Sequence, residues 1–162
     1  MPEADSPRVI GLISDTHGLL RAEVHDAFAG VDLILHAGDV GGDEILDELS
    51  LIAPVEAVYG NTDVPGDPRL REQIVRQIGG VTIHVGHGHE MGKLTADALL
   101  ERYTADVLVY GHTHKQSVTR REGRVVINPG AAGPRRFHLM PSVARLTISD
   151  GQAEVEIVTL PA

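Results

Sequence analysis

The chain has 162 residues and a formal net charge of −9, with nine His but no Cys and no Trp. Such a length favours one domain. The missing Cys excludes disulfides, thiolate catalysis and Cys-liganded zinc, and the acidic balance argues against loose electrostatic capture of nucleic acid.

Apolar runs stay far shorter than a bilayer-spanning helix needs, and residues 1–8 lack the apolar core of a signal peptide. The expectation is a cytoplasmic protein folded as a single domain over residues 1–162, with residues 1–7 a flexible N-terminus. Residues 9–13 are apolar, bounded by Pro7 and Ser14-Asp15, and read as a strand. Leu20, Val24, Ala27 and Phe28 follow at helical spacing. Residues 33–35 make a second strand. Ile45, Leu46, Leu49 and Ile52 mark a second helix, opened by Asp43 and Glu44, whose charges suit a helix N-terminus. Residues 55–59 form a third strand, and 61–70, carrying Pro65-Gly66 and Asp67-Pro68, a loop.

In the second half, residues 73–78 and 81–85 flank Gly79-Gly80, a hairpin signal. Ala96, Leu99, Leu100 and Tyr103 mark a third helix, and 107–110 a buried strand. Residues 116–121 and 124–127 flank Glu122-Gly123, while 143–148 and 153–160 flank Asp150-Gly151, a type I′ turn dipeptide. A βαβαβ run followed by strand-rich sequence predicts two packed sheets with helices outside, parallel first and antiparallel later.

The polar residues collect where strands end. Successive runs lead into Asp15-Thr16-His17, Gly38-Asp39, Gly60-Asn61-Thr62-Asp63, His87-Gly88-His89, Gly111-His112-Thr113-His114 and Asn128-Pro129-Gly130. Ligands of α/β sheets bind beyond the carboxyl ends of the strands, so six loops could share one crevice. Each motif alone is an ordinary turn; turns alone do not require this many imidazoles. Asp15, His17, Asp39, Asn61, His87, His112 and His114 offer oxygen and neutral nitrogen donors without sulfur. That mixture suits Mn, Fe, Zn, Co or Ni better than Mg or Ca. Seven donors exceed one tetrahedral zinc and fit two ions sharing a carboxylate, roughly 3.5–4 Å apart. With Asp15 and Asp39 as the only carboxylates, such a site keeps about +2 of charge and attracts phosphate.

The remaining polar residues carry paired readings. His36 either orients a ligand residue or is a satisfied buried histidine, and His84 reads as structural. His25 and His138 fall on a helix surface and a loop. Asp63 supports the Asn61 loop or forms a turn. Arg135 and Arg136 either bind a phosphate bidentately or are solvated, and Arg120, Arg121 and Arg124 read as solvated. Asp43, Glu44, Asp47 and Glu48 read as an exposed helix face.

Taken in this order, the motifs resemble those of the calcineurin-like metallophosphoesterase superfamily, and most of all its small, single-domain YfcE-like phosphodiesterase branch. The likeness spans roughly residues 8–148. It implies an α/β fold, a four-layer α/β/β/α sandwich of two mixed sheets. It also implies two divalent ions, Mn first with Fe, Zn, Ni or Co as alternatives. One ion would be held by Asp15, His17, Asp39 and His114, the other by Asp39, Asn61, His87 and His112, with Asp39 bridging. The implied reaction is hydrolysis of a small phosphate ester, a diester above all, by attack of a metal-bound hydroxide; from their positions in the chain, Asn61, Arg135 and Arg136 are the candidate substrate contacts. Many members carry His after Gly-Asn, where it serves the leaving group; here Thr62 stands there, leaving His89 as the nearest proton donor or, equally, a supporting histidine. Alternatives on the same fold are a catalytically weak interaction scaffold, like the superfamily's retromer subunit, and a phosphomonoesterase or nuclease. Neither membrane association nor strong nucleic-acid binding is expected, and homo-oligomerisation is left open.

Overall fold

The structure, a computed structural model, describes residues 7–63, 66–89, 91, 92, 94–135 and 139–161. The expected flexible N-terminus, apart from Pro7, lies outside the described residues. In chain order the elements are β1 (Arg8–Ile13), α1 (Glu23–Ala27), β2 (Leu33–His36), α2 (Asp43–Leu49), β3 (Val55–Val58), β4 (Leu70–Arg71), β5 (Ile74–Ile78), β6 (Val81–Val85), α3 (Ala96–Arg102), β7 (Val107–Val109), β8 (Ser117–Arg121), β9 (Arg124–Asn128), β10 (Ser142–Ser149) and β11 (Gln152–Thr159). The first sheet runs β11-β10-β1-β2-β3-β4 and the second β5-β6-β7-β9-β8. Helical crossovers make β1, β2 and β3 parallel neighbours, and β6, β7 and β9 are parallel in the second sheet. The three expected hairpins form β5–β6, β8–β9 and β10–β11. Both residues of each turn have positive φ, at Gly79-Gly80, Glu122-Gly123 and Asp150-Gly151, the geometry whose twist suits two-residue hairpin loops.

The four layers follow from alternation along the strands. Ile10 and Leu12 of β1, Leu33 and Leu35 of β2, and Ala144, Leu146 and Ile148 of β10 face inward. There they meet Val81, Ile83 and Val85 of β6, Val107 and Val109 of β7, and Val125 and Ile127 of β9. The opposite face of the first sheet, with Ile13, Ile34 and Val143, packs under Val24 of α1 and Ile45, Leu46 and Leu49 of α2. The opposite face of the second, with Leu108 and Val126, packs under Leu99 of α3.

Three readings need correction. Parallel pairing, expected in the first half of the chain, continues in the second, where β6, β7 and β9 run parallel beside the antiparallel hairpins. The loop expected over 61–70 ends one residue early, because Leu70 and Arg71 pair in parallel with Ala57 and Val58; two residues are too short for any periodicity to show. Arg124 is not solvated. Its guanidinium donates to Leu100 O at 3.0 Å and Tyr103 O at 2.6 Å, carbonyls at the end of α3 that lack a partner within the helix, and to Ala105 O at 3.0 Å in the segment that follows. Arg145 does the same after α1, donating to Ala27 O at 2.8 Å and Ala29 O at 3.0 Å.

Phe28, fully buried, lies flat against β1 at Gly11. A β-carbon at Gly11 would meet Phe28 ring atoms at 2.9–3.0 Å. Gly11→Ala is therefore expected to overpack this layer and cost about 1–3 kcal/mol of stability, read as a lower urea midpoint at unchanged slope.

Candidate metal centre

The parallel strands of both sheets deliver their carboxyl ends to one place. Asp15 follows β1, Asp39 follows β2, Asn61 follows β3, His87 follows β6, and His112 and His114 follow β7. Asp15, Asp39 and His87 are buried, His17 and His114 are half-buried, and Asn61 and His112 are exposed at the rim. The result is a buried floor with an open mouth.

Each carboxylate is held by one oxygen and turned inward by the other. Asp15 Oδ2 accepts from Ser14 Oγ at 2.6 Å and the His112 amide at 3.2 Å. Its Oδ1 is buried without a hydrogen-bond partner and lies 3.4 Å from His114 Nε2, 3.7 Å from His17 Nε2 and 3.9 Å from His87 Nε2. Asp39 Oδ1 accepts from the Thr62 amide at 2.9 Å and Thr62 Oγ1 at 2.8 Å. Its Oδ2 lies 3.6 Å from His17 Nε2 and 3.2 Å from His87 Nε2. His87 Nδ1 donates to Ala37 O at 2.8 Å. That bond fixes the ring so that Nε2 faces Asp39 and, at 3.1 Å, Asn61 Oδ1, the arrangement by which a backbone carbonyl orients a metal-ligating histidine.

Two groups of donor atoms lie within 4.8 Å of one another: Asp15, His17 and His114, and Asp15, Asp39 and His87. The first matches three of the four residues expected around one ion. The second adds Asp15 to Asp39 and His87, so the inward oxygen of Asp15 reaches both groups. His112 enters neither triad; its ring stands edge-on to His87 at a centroid distance of 5.2 Å. The donor set fits a cation: oxygen and nitrogen lone pairs converge, and one carboxylate oxygen has no donor of its own.

The electrostatics agree. Burial pushes the Asp39 carboxyl up, but hydrogen bonds from His87 and the Thr62 amide outweigh it and hold its pKa at about 2. Burial is likewise outweighed at Asp15 by the neighbouring imidazoles of His114 and His17 and the bond from Ser14, which put it far below the usual carboxylate range. Burial lowers His87, yet the bond to Asp39 and the charge of Asp15 raise it overall. Burial and the charge on His87 lower His112.

The backbone is bent to achieve this. Asp15, His17, Asp39, His112 and His114 all have φ between 46° and 72°; among the described residues, the only other non-glycine positions with positive φ are Glu122 and Asp150, in hairpin turns. The left-handed region costs such residues about 1–3 kcal/mol each, and that strain clusters at functional sites. Glycines give the room: a β-carbon on Gly60 would collide with Asp39 Oδ1, and one on Gly111 with Ser14 Oγ and Asp15 Oδ2.

Neighbouring residues brace the loops. Asp63 accepts from the amides of Val40 at 3.0 Å, Gly41 at 3.1 Å and Gly60 at 3.0 Å, so it does support the Asn61 loop. Asn128 donates to Gly111 O and Thr113 Oγ1 and accepts from the Gly130 amide, joining the last two motifs. His36 is fully buried: Nδ1 accepts from the Gly38 amide at 3.1 Å, and Nε2 donates to Thr16 Oγ1 at 3.0 Å, which donates to Val40 O at 2.7 Å. His89 is half-buried, its ring 5.4 Å from His87 and 6.5 Å from His112.

His84 is structural, bonded to Gln73 and edge-on to Tyr103, and His25 pairs with Glu48 on the helix surface. Arg135 is exposed just after Gly133, whose amide donates to Asp15 O at 3.3 Å. Arg136 and His138 lie outside the described residues. Sequence reasoning missed the hydroxyls of Ser14 and Thr62; their closeness in sequence to Asp15 and Asn61 was the only signal.

The profile of the calcineurin-like phosphoesterase superfamily domain matches residues 9–151. The chain belongs to the calcineurin-like phosphoesterase superfamily. A probable metallophosphoesterase of Methanothermobacter thermautotrophicus is 38% identical over 160 residues, covering 93% of this chain and 91% of its own. A phosphodiesterase of Methanocaldococcus jannaschii is 27% identical over 139 residues, 75% of this chain and 82% of the relative. Among solved structures, Vps29 of Entamoeba histolytica complexed with Zn²⁺ superposes with a TM-score of 0.73 at 27% identity, over 93% of this chain and 98% of that one. The two mixed sheets with outer helices are thus the superfamily's fold. No helix among the described residues is long and apolar enough to cross a membrane.

Burial pushes His36 from 6.5 down to about 4. The unfolded chain therefore takes up a proton between those values that the folded chain refuses, and stability falls as pH drops through that window. The loss reaches about 3 kcal/mol. Asp39, lowered from 3.8 to about 2, gives up its contribution only at lower pH. A His36→Gln variant is expected to be less stable at pH 7 and to show a flatter stability curve between pH 6.5 and 4, measured by urea unfolding.

Proposed function

We propose that the chain is a dinuclear metal-dependent phosphoesterase of one domain, working on small phosphodiesters in the cytoplasm. The observation that carries this reading is Asp39 Oδ2, 3.6 Å from His17 Nε2 and 3.2 Å from His87 Nε2. A carboxylate oxygen close to imidazoles assigned to different ions suits a ligand shared by two cations. Asp15, His17, Asp39 and His114 would hold one ion, and Asp39, Asn61, His87 and His112 the other. Mn is the first choice for this O/N set. Zn is supported by the Vps29 relative solved with it. When bound, the ions supply positive charge for the phosphoryl oxygens and acidify water.

The chain's own groups do the rest. Asn61 and His112, exposed at the rim, meet the ester as it enters. Arg135 and its neighbour in sequence, Arg136, are the candidate cations for a phosphate oxygen. Thr62 does not serve the leaving group, since its hydroxyl proton is engaged with Asp39. His89, close to His87 and His112, is the proton donor for leaving groups that need one, and good leaving groups need none. Beside Thr62 opens a cleft of about 320 Å³ lined by Asp43, Asp63 and Asp67. Hydrogen bonding to Asp67 raises the Asp43 carboxyl. An acidic cleft next to the metal centre repels further phosphates, which favours a small diester over a polynucleotide. The relative named as a phosphodiesterase supports the same choice.

An interaction scaffold is the second reading, favoured by the likeness to Vps29; the full set of donors weighs against it. The purified protein is expected to hydrolyse bis-p-nitrophenyl phosphate with Mn²⁺ and to stop when EDTA removes the metal. Full turnover after exhaustive chelation would falsify the metal mechanism, and no turnover with any divalent ion favours the scaffold. Replacing the shared ligand, Asp39→Asn, should lower kcat by at least about 100-fold while circular dichroism is unchanged; a near-normal rate refutes the assignment of Asp39.

A further inference from the structure

A carboxylate that serves two cations must present one chosen oxygen, yet rotation about the last torsion of an aspartate is soft and roughly two-fold. In this chain two donors from one residue make that choice. Thr62 Oγ1 and the Thr62 amide both donate to Asp39 Oδ1, at 2.8 and 2.9 Å, and Oδ2 is left facing His17 and His87. Gly60 closes the far side of the same oxygen, where even a β-carbon has no room. Asp63 binds the amides of Val40, Gly41 and Gly60. It thereby fastens the loop that carries the donors to the loop that carries Asp39.

We propose that Thr62 is a positioning residue for the shared carboxylate: its hydroxyl fixes which oxygen of Asp39 is offered to the metals. The position is therefore not a vacancy left by a missing histidine. Its side chain has been given to the metal centre instead of the leaving group. Asp15 shows the same device with different parts, a hydroxyl from Ser14 and an amide from His112 on one oxygen, and the other oxygen turned inward. Each aspartate is thus held by one O–H and one N–H donor. Thr62 is the more informative of the two, because its methyl-for-hydroxyl exchange leaves its amide bond to Asp39 intact and places no new bulk at an exposed position.

The inference rests on the two-ion reading, so the test reads metal binding and not turnover. Metal-free wild type, Thr62→Val and Thr62→Ser are titrated with Mn²⁺ by calorimetry, and the loaded proteins are examined by electron paramagnetic resonance for coupling between neighbouring Mn²⁺ ions. Far-UV circular dichroism and urea midpoints check the fold. Orienting partners of metal ligands are worth about 10–100-fold in affinity. Thr62→Val is expected to bind Mn²⁺ at least about 10-fold more weakly and to lose or reduce the coupled signal, while Thr62→Ser keeps both near wild type. A Thr62→Val protein that binds and couples like wild type overturns the proposal. So does a Thr62→Ser protein as weak as the valine variant, since packing and not the hydroxyl would then be responsible. A wild type that takes only one ion, without coupling, overturns the two-ion reading separately; the affinity ratio at that one ion still decides the role of Thr62.

Discussion

Two aspartates sit buried where the sheets meet, close enough that their inward oxygens share the nitrogens of His17 and His87. Buried carboxylates of like charge normally take up a proton. Here donors on the outward oxygens and imidazoles on the inward ones outweigh burial, and both acids are held in their charged form. Most of what is unusual in the molecule serves that arrangement. The strand ends converge to bring the donors, left-handed backbone turns the side chains inward, and glycines remove β-carbons that would collide with the carboxylates.

The bracing around the centre is as informative as the donors. His36, Asp63 and Asn128 each join two of the motif loops through backbone amides, carbonyls or hydroxyls. Strained backbone persists only where its surroundings over-determine it, and these three side chains provide that determination. The rim is less constrained. Asn61 and His112 are exposed there.

Much of this was legible in the chain. Turn dipeptides with a fixed backbone preference announced the three hairpins, and apolar alternation announced the layers, because both signals are local. The converging motifs were legible for the same reason, each being a short string at a strand end. What escaped were contacts between distant segments. Arg124 looked like a surface charge beside a turn, since nothing in its own strand shows that carbonyls of Leu100, Tyr103 and Ala105 await it. Thr62 looked like the lack of a histidine, since its partner lies 23 residues earlier. β4 escaped because two residues carry no period.

The order of strands has a consequence for how the protein is made. β1 lies between β2 and β10, and its register with β10 runs from Arg8 opposite Ile148 to Leu12 opposite Ala144. A chain still emerging from the ribosome therefore holds β1 with one edge unpaired until β10, more than 120 residues later, appears. An open, apolar edge of that kind invites pairing with other chains, and long-range closure is slow. The second sheet, complete by Asn128, can assemble earlier.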